Sequence, residues 1–348
     1  MKHCNLEKVD NLLNQLIADE VAPGMSIAVV TKDEKWMKCY GNRQLIPTIE
    51  ANTMDTIWDL ASISKVLVTT TCILKLIEEG LITLNTTIKS VITEFENEDL
   101  TIKECITHTS AFPADVVGYK TMSTEEIYEK VMKMDKEDEL LNKVNYSDVN
   151  FILLGLVVAR LKGSLDEYAA NVMFKPLQMN NSCYKPKEEL KERCAAYENI
   201  EARGGVVRGV VHDGKAFKLG GVSGHAGVFS TLEDITHYVE MLLNGGVYHG
   251  VRFFEESTIE LLKTCQTEGM NEKRSIGWII SDPNYPLGDY RSEHTLYHTG
   301  FSGPSMLIDF DKGIGCIVLC NRVHPSRDNK KILTARKDIH NVVYSLID

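Results

Sequence analysis

The sequence lacks the features that mark membrane, secreted and nucleic-acid-binding proteins. No stretch approaches the roughly 20 apolar residues of a membrane span, and residues 1–10 lack the apolar core of a secretory signal. The 38 Lys and Arg residues are outnumbered by 49 Asp and Glu, the net charge is −11, and no long basic run occurs. We therefore expect no nucleic-acid partner, no membrane span and a cytoplasmic protein, unless a leader has been removed.

Cysteine and histidine are present, but not in the patterns that bind metals or form disulfide frameworks. The nine cysteines are an odd number, and none is arranged as Cys-x-x-Cys. They are expected to be buried, reduced thiols. His108, His212 and His225 are far apart in the sequence, which favours structural roles over metal binding. We predict no metal and no cofactor.

Strand-like segments lie near both ends of the chain, and helical patterns lie between them. Alternating or apolar runs predict strands at 25–31, 35–41, 276–281, 295–298, 305–310 and 315–319. Helical spacing predicts helices at 5–19, from Ser62 to about Gly80, and at 124–134, 150–161, 165–173, 232–244 and 329–347. The glycine-rich residues 201–220 are expected to form a mobile loop.

This order of segments predicts an α/β fold class. We expect a discontinuous, antiparallel-sheet α/β domain made of residues 1–80 and 271–348, with a large and mostly helical insertion at 81–270. The length of 348 residues suits one large domain or two interleaved ones. An active site is expected at the junction, because clefts form where domains meet.

The most informative short pattern is Ser62-Ile63-Ser64-Lys65. Residues three apart lie on one face of a helix, which would place an amine beside a hydroxyl. A serine hydroxyl is a weak nucleophile at neutral pH and needs a neighbouring base. Burial or nearby positive charge can lower the pKa of a lysine enough for that role. The spacing predicts a nucleophilic Ser62 and a basic Lys65, although the pattern alone is more typical of a solvated helix face.

A second segment, Asn145-Tyr146-Ser147-Asp148, comes before a long apolar run. Polar residues with capping ability ahead of an apolar run indicate the start of a helix. A phenol on that turn can relay protons when cations lie near it. The alternative is an ordinary helix cap with Tyr146 as a packing residue, and this segment alone favours the cap.

A third segment, Tyr297-His298-Thr299-Gly300-Phe301-Ser302-Gly303, lies between two strand-like runs. Its two glycines permit close approach of a ligand to the backbone. An edge strand with free N–H groups could hold an extended substrate and supply a donor to an oxyanion. The alternative is a glycine-rich hairpin that carries a surface histidine.

In this order, the three segments resemble the serine β-lactamase and penicillin-binding-protein superfamily. Its motifs are Ser-x-x-Lys, then Tyr-x-Asn, then Lys-Thr-Gly or His-Thr-Gly. The likeness is strongest to the branch of class C β-lactamases, D-alanyl-D-alanine peptidases and esterases, and residues 23–30, 106–113 and 224–231 are similar to further segments of that branch. The resemblance spans nearly the whole chain and implies a β-lactamase/transpeptidase-like fold.

The resemblance implies a serine hydrolase that forms an acyl-enzyme and needs no cofactor. The expected substrates contain amide or ester bonds and are small molecules, D-amino-acid peptides or muramyl peptides derived from peptidoglycan. Carried over by position, the catalytic residues are Ser62, Lys65, Tyr146, His298 and Phe301, and the substrate-binding residues are Asp148, Thr299 and Gly300. The backbone N–H groups of Ser62 and Phe301 are the expected oxyanion donors.

One position departs from the family pattern. Asp148 stands where the second motif usually has Asn. An ionised carboxylate cannot donate a hydrogen bond, and it favours the charged form of Lys65. The substitution shifts the role of base toward Tyr146. It also favours an alternative function, a module that binds penicillins or senses cell-wall fragments with slow or no turnover.

Overall fold

The structure is a computed structural model that describes residues 1–2 and 5–347. Its centre is a seven-stranded antiparallel sheet. The strands are β1 Gly24–Thr31, β2 Lys35–Gln44, β3 Glu50–Ala51, β4 Ile57–Asp59, β5 Cys183–Tyr184, β6 Ala196–Ile200, β7 Gly205–Arg208, β8 Val228–Thr231, β9 Val247–Tyr248, β10 Val251–Arg252, β11 Ile279–Ile280, β12 Thr295–Thr299, β13 Ser305–Asp309 and β14 Ile314–Cys320. The seven-stranded sheet has the strand order β11-β12-β13-β14-β1-β2-β3, and the remaining strands form three small sheets, β4-β8-β5, β6-β7 and β10-β9.

Helices cover the sheet and fill most of the chain between β4 and β11. They are α1 Leu6–Ala18, α2 Thr70–Glu78, α3 Ile88–Val91, α4 Ile102–Ile106, α5 Thr124–Met132, α6 Asp148–Lys162, α7 Leu165–Ala169, α8 Gly214–Lys218, α9 Leu232–Leu243, α10 Glu256–Lys263 and α11 Ile332–Tyr344. The π-helical segment Lys65–Thr69 leads directly into α2, and a second π-helical segment, Ala170–Phe174, follows directly after α7. Over the described ranges, none of these helices is both apolar enough and long enough to span a bilayer.

The alternation of side chains along β1 places the sheet between two hydrophobic cores. Ile27 and Val29 face one core, which they share with side chains of α1 and α11. Ala28 and Val30 face the other, which contains most of the helices from α2 to α10. Because successive strand residues point to opposite faces, a strand buried on both sides reads as a continuous apolar run. The predicted fold class is confirmed.

Two local predictions were wrong. The strand expected at 276–281 is reduced to Ile279–Ile280, which pairs with Leu296 and Tyr297 of β12. Gly277 adopts a φ of +80° just before it, which prevents extended backbone there. The expected loop at 201–220 contains the strand β7 and the helix α8. The predicted domain boundaries stay a prediction.

His340 of α11 gives the fold a pH dependence. Its Nδ1 donates to the Pro286 carbonyl at 2.6 Å, and its buried Nε2 has no partner among the described residues. Burial lowers the pKa of His340 from 6.5 to about 4. Below pH 6.5 the unfolded chain therefore binds a proton that the folded chain excludes. This group should lower the free energy of unfolding by about 2–3 kcal/mol between pH 7.5 and 4.5.

Urea unfolding of the wild type and of His340→Gln across this pH range measures that effect. Glutamine keeps a donor for the Pro286 carbonyl but does not titrate. We expect the variant to lose less stability than the wild type as the pH falls. Parallel pH curves for the two proteins would contradict the assignment.

Candidate active site

A buried carboxylate shapes the turn that leads from β4 to Ser62. Asp59 accepts hydrogen bonds from the N–H of Ala61 at 2.8 Å and from the N–H of His212 at 2.7 Å. Ala61 has a φ of +46°, an uncommon conformation for a residue with a Cβ. The hydrogen bond from Ala61 to Asp59 stabilises this turn, which directs Ser62 away from the strand and into the first helical turn.

Ser62 and Lys65 are in contact, as their spacing predicts. Lys65 Nζ lies 2.9 Å from Ser62 Oγ, 2.8 Å from the carbonyl oxygen of His225 and 2.8 Å from Asp148 Oδ1. These three acceptors match the three protons of an ammonium group. Lys65 is fully buried and begins the π-helical segment, a feature often found at functional sites.

The surroundings of Lys65 keep it protonated. Burial alone would lower its pKa, but the negative charge of Asp148, with a smaller contribution from the Tyr146 oxygen, raises the pKa of Lys65 above its ordinary value. Burial likewise opposes the charge on Asp148, and the nearby Lys65, His225 and Lys215 lower the pKa of that carboxyl to about 2. In the resting site, Lys65 is therefore a proton donor to Ser62.

The loop at 108–115 fixes the second motif. The N–H of Asn145 donates to the His108 carbonyl at 2.8 Å, and the N–H of Ser147 donates to His108 Nδ1 at 3.1 Å. The N–H of Asp148, where α6 begins, donates to the Ala114 carbonyl at 2.9 Å. These bonds to a single loop position Tyr146 at the start of α6.

The Tyr146 ring is surrounded by basic side chains. Lys65 Nζ lies 5.0 Å from the ring centre and the Arg274 guanidinium carbon lies 5.6 Å from it, while the rings of His108 and His298 are at 4.5 and 6.0 Å. Burial, together with the charges of Arg274 and Lys65, holds the pKa values of both histidines well below their usual range. The fixed positive charges at this phenol are therefore those of Lys65 and Arg274.

The third motif packs directly against the turn that carries the serine. A Cβ at Gly300 would lie 2.7 Å from the Leu60 carbonyl oxygen and 3.1 Å from the Ala61 Cβ. The glycine is thus required because the protein's own chain lies close to it, whereas the sequence suggested the close approach of a ligand. His298 is buried, and its Nδ1 donates to the Thr299 carbonyl at 3.0 Å. The substrate-binding roles of Gly300 and Thr299 stay predictions.

A cavity of about 320 Å³ opens above Ser62. Its wall includes Tyr146, Asp148, Lys215 and Phe301. The Phe301 ring is 49% exposed and stacks on the ring of His212 at 5.9 Å, so it forms an apolar rim on one side. A larger cavity of about 610 Å³ lies elsewhere, between residues 17–23 and 324–331, and its Ser326 donates a hydrogen bond to Asp328 at 2.8 Å.

Sequence patterns did not indicate Lys215, Arg274 or the pairing of Asp213 with His225. Lys215 Nζ lies 3.0 Å from Asp148 Oδ2, and Asp213 Oδ1 lies 2.8 Å from His225 Nε2. These contacts join residues of separate segments, and no short motif contains them. Two sequence features pointed to this region, the likeness of residues 224–231 to the family and the glycine-rich residues 201–220.

Three potential metal ligands lie within this cluster. Ligand atoms of Asp148, Asp213 and His225 lie within 4.8 Å of one another. Both oxygens of Asp148 already contact ammonium groups, from Lys65 and Lys215. Two lysines therefore provide the positive charge that a metal ion would otherwise supply.

Comparison with known proteins gives one family. A family model described as Beta-lactamase matches residues 9–341. A putative D-alanyl-D-alanine carboxypeptidase of Escherichia coli O157:H7 is 29% identical, with 94% of this chain and 84% of the relative covered. An N-acetylmuramyl-L-alanine amidase of Bacillus subtilis is 26% identical, with 92% and 81% covered. The solved structure of EstCE1, a hydrolase with promiscuous acyltransferase activity, has a TM-score of 0.77 at 16% identity and covers 98% and 99% of the two chains.

Proposed function

Because the chain belongs to the β-lactamase family of serine hydrolases, we propose that it cleaves an amide bond of a peptidoglycan-derived peptide through an acyl-enzyme on Ser62. The observation that carries this proposal is the 2.9 Å contact between Ser62 Oγ and Lys65 Nζ at an open cavity. A nucleophile in hydrogen-bond contact with a proton-transfer group is the arrangement that covalent catalysis requires.

The proposed reaction has two steps. Ser62 Oγ attacks the substrate carbonyl, and its proton passes to the pair of Lys65 and Tyr146. In the reactive state this pair lacks one proton, so it can accept the proton of Ser62. The pair then protonates the leaving nitrogen as the amide bond breaks. Water then attacks the resulting ester and gives a proton to the pair. The acid product leaves, and the pair returns that proton to Ser62 Oγ. Backbone N–H groups of Ser62 and Phe301 would bind the oxyanion in both steps, each donor being worth roughly 3–4 kcal/mol.

The names of the two relatives support the substrate class. One is named for a D-alanyl-D-alanine carboxypeptidase and the other for an N-acetylmuramyl-L-alanine amidase, and both names describe amide cleavage in peptidoglycan-related molecules. The cavity also suits a polar peptide, because Asp115, Tyr119, Asp213 and Lys215 line it together with Phe301.

Covalent labelling followed by a substrate panel tests the proposal. A fluorophosphonate should modify one residue per chain, and peptide mapping should find it at Ser62. D-alanyl-D-alanine peptides, muramyl-L-alanine amides and p-nitrophenyl esters should then be compared by kcat/KM, with at least one of the two amide classes turned over. Modification of another residue, or hydrolysis confined to esters, would contradict it.

A second function is favoured by one contact. Asp148 Oδ1 lies 2.8 Å from Lys65 Nζ and keeps that lysine charged, which opposes the activation of water for deacylation. A protein of this kind would bind penicillins or cell-wall fragments covalently and release them slowly. Release of a fluorescent penicillin over hours, without turnover of either amide class, would identify this function.

A further inference from the structure

The carboxylate of Asp148 bridges two buried lysines. Its Oδ1 lies 2.8 Å from Lys65 Nζ, and its Oδ2 lies 3.0 Å from Lys215 Nζ. Lys65 has no exposed side-chain surface, and Lys215 is only 4% exposed. A buried ammonium is retained only when anions compensate for its lost hydration. The two lysines and the carboxylate therefore form one electrostatic unit beside Ser62.

Lys215 is held in this unit from several directions. Besides Asp148, its Nζ lies 2.9 Å from Asp115 Oδ1, 3.8 Å from Asp213 Oδ2 and 5.0 Å from the centre of the Tyr119 ring. Asp213 in turn pairs with His225, whose carbonyl accepts a hydrogen bond from Lys65. These are the charged and titratable groups that face Lys215 from α8, the start of α6 and the segment at 115–121.

The charges explain why Asp148 can stand beside the nucleophile. A carboxylate paired with Lys65 alone would attract its ammonium and weaken the contact with Ser62 Oγ, because opposite charges at this separation interact strongly in a buried site. Lys215 engages the second carboxylate oxygen, so the attraction of Asp148 is divided between two ammonium groups. Asp148 and Lys215 together carry no net charge.

We propose that Lys215 is a positioning residue for the Ser62 reaction, which holds Asp148 by its Oδ2 and so keeps Lys65 directed at the nucleophile. This inference rests on the proposed function, because it concerns acylation of Ser62. It assigns to α8 a direct part in the site that its sequence did not indicate. The role is one of orientation and charge, since Lys215 contacts Asp148 and not the serine oxygen.

The test measures the rate of Ser62 acylation by a fluorophosphonate across pH for four proteins: wild type, Lys215→Met, Asp148→Asn and the double variant. Lys215→Met should acylate about 10- to 100-fold more slowly. The rising limb of its pH–rate profile should move to higher pH, because a nearby positive charge is lost. Asp148→Asn should move that limb to lower pH, because a negative charge is lost. The double variant should recover most of the rate lost by Lys215→Met and place the limb close to that of the wild type.

Lys218→Met is the matched control, since Lys218 lies on the same short helix and its Nζ donates to the Met122 carbonyl at 2.6 Å. It should acylate at the wild-type rate. Opposite shifts of the pH limb distinguish orientation and charge from a loss of folding, which would slow acylation without such shifts. If Lys215→Met does not fold, Asp148→Asn and the double variant still give the comparison, and equal pH limbs in those two would overturn the inference.

The two proposals fail in different ways. A wild-type protein that is not labelled at Ser62 contradicts the proposed function. If the wild type is labelled and Lys215→Met acylates at the same rate and with the same pH profile, only the positioning role is overturned.

Discussion

Ser62→Ala should form no covalent adduct with a fluorophosphonate and should lose hydrolysis by a factor on the order of 10⁴–10⁶ in kcat. The variant removes the only atom of residue 62 that can attack a carbonyl, while Lys65 keeps Asp148 and the His225 carbonyl as partners. Its fold should therefore be retained. Intact-protein mass spectrometry and hydrolysis rates with the best substrate measure both effects.

Ser64→Ala is the matched control, because Ser64 lies only two residues further along the chain. It is fully buried, and its Oγ accepts a hydrogen bond from the N–H of Val228 at 3.1 Å. It should be less stable by about 1–2 kcal/mol, since that N–H loses its partner, yet still be labelled. Labelling of Ser62→Ala, or loss of labelling in Ser64→Ala while it remains folded, would show that residue 62 is not the nucleophile.

Gly224→Ala should destabilise the protein by about 3 kcal/mol or more, because the added methyl has no room. A Cβ at residue 224 would lie 2.0 Å from the Phe151 carbonyl oxygen and 2.8 Å from the Gly155 nitrogen, and both atoms belong to the backbone of α6. The helix and the loop would have to separate. The His225 carbonyl, which accepts a hydrogen bond from Lys65, would move with the loop.

Urea unfolding of Gly224→Ala and Gly220→Ala separates this clash from ordinary backbone strain. Gly220 has a φ of +82° and no atom within 4 Å of its Cβ position, so alanine there should cost only about 1–2 kcal/mol. The loss at residue 224 should be clearly larger, and acylation of Ser62 should slow in that variant only. Equal losses of stability would mean that the helix and the loop adjust to the methyl group.

Much of the fold follows from hydrophobic periodicity. The runs near residues 25–31 and 315–319 are apolar on both faces, so their assignment as strands needed no tertiary information, and they lie in β1 and β14. The pattern failed at β11, where Gly277 and its positive φ shorten the strand. It failed again at 201–220, where the glycines allow several conformations and pairing with β6 decides among them.

In the site, too, the local contacts could be predicted from the sequence and the distant ones could not. The contact between Ser62 and Lys65 is local, and helical spacing alone was enough to predict it. The contact of Asp148 with Lys215 joins residues that are distant in the chain, and a lone lysine on a five-residue helix carries no recognisable pattern. Arg274 likewise reaches Tyr146 only because the segment before β11 folds back over the second motif. Such contacts depend on the fold as a whole.

The seven-stranded sheet has one further consequence at its β12 side. The two-residue strand β11 pairs only with Leu296 and Tyr297, so His298 and Thr299 extend beyond it by roughly 7 Å of backbone. His298 is buried and Thr299 is only partly exposed, so this short border is a poor template for strand pairing between two molecules. If the peptide substrate of the proposed function pairs with this border, only one or two of its residues can do so.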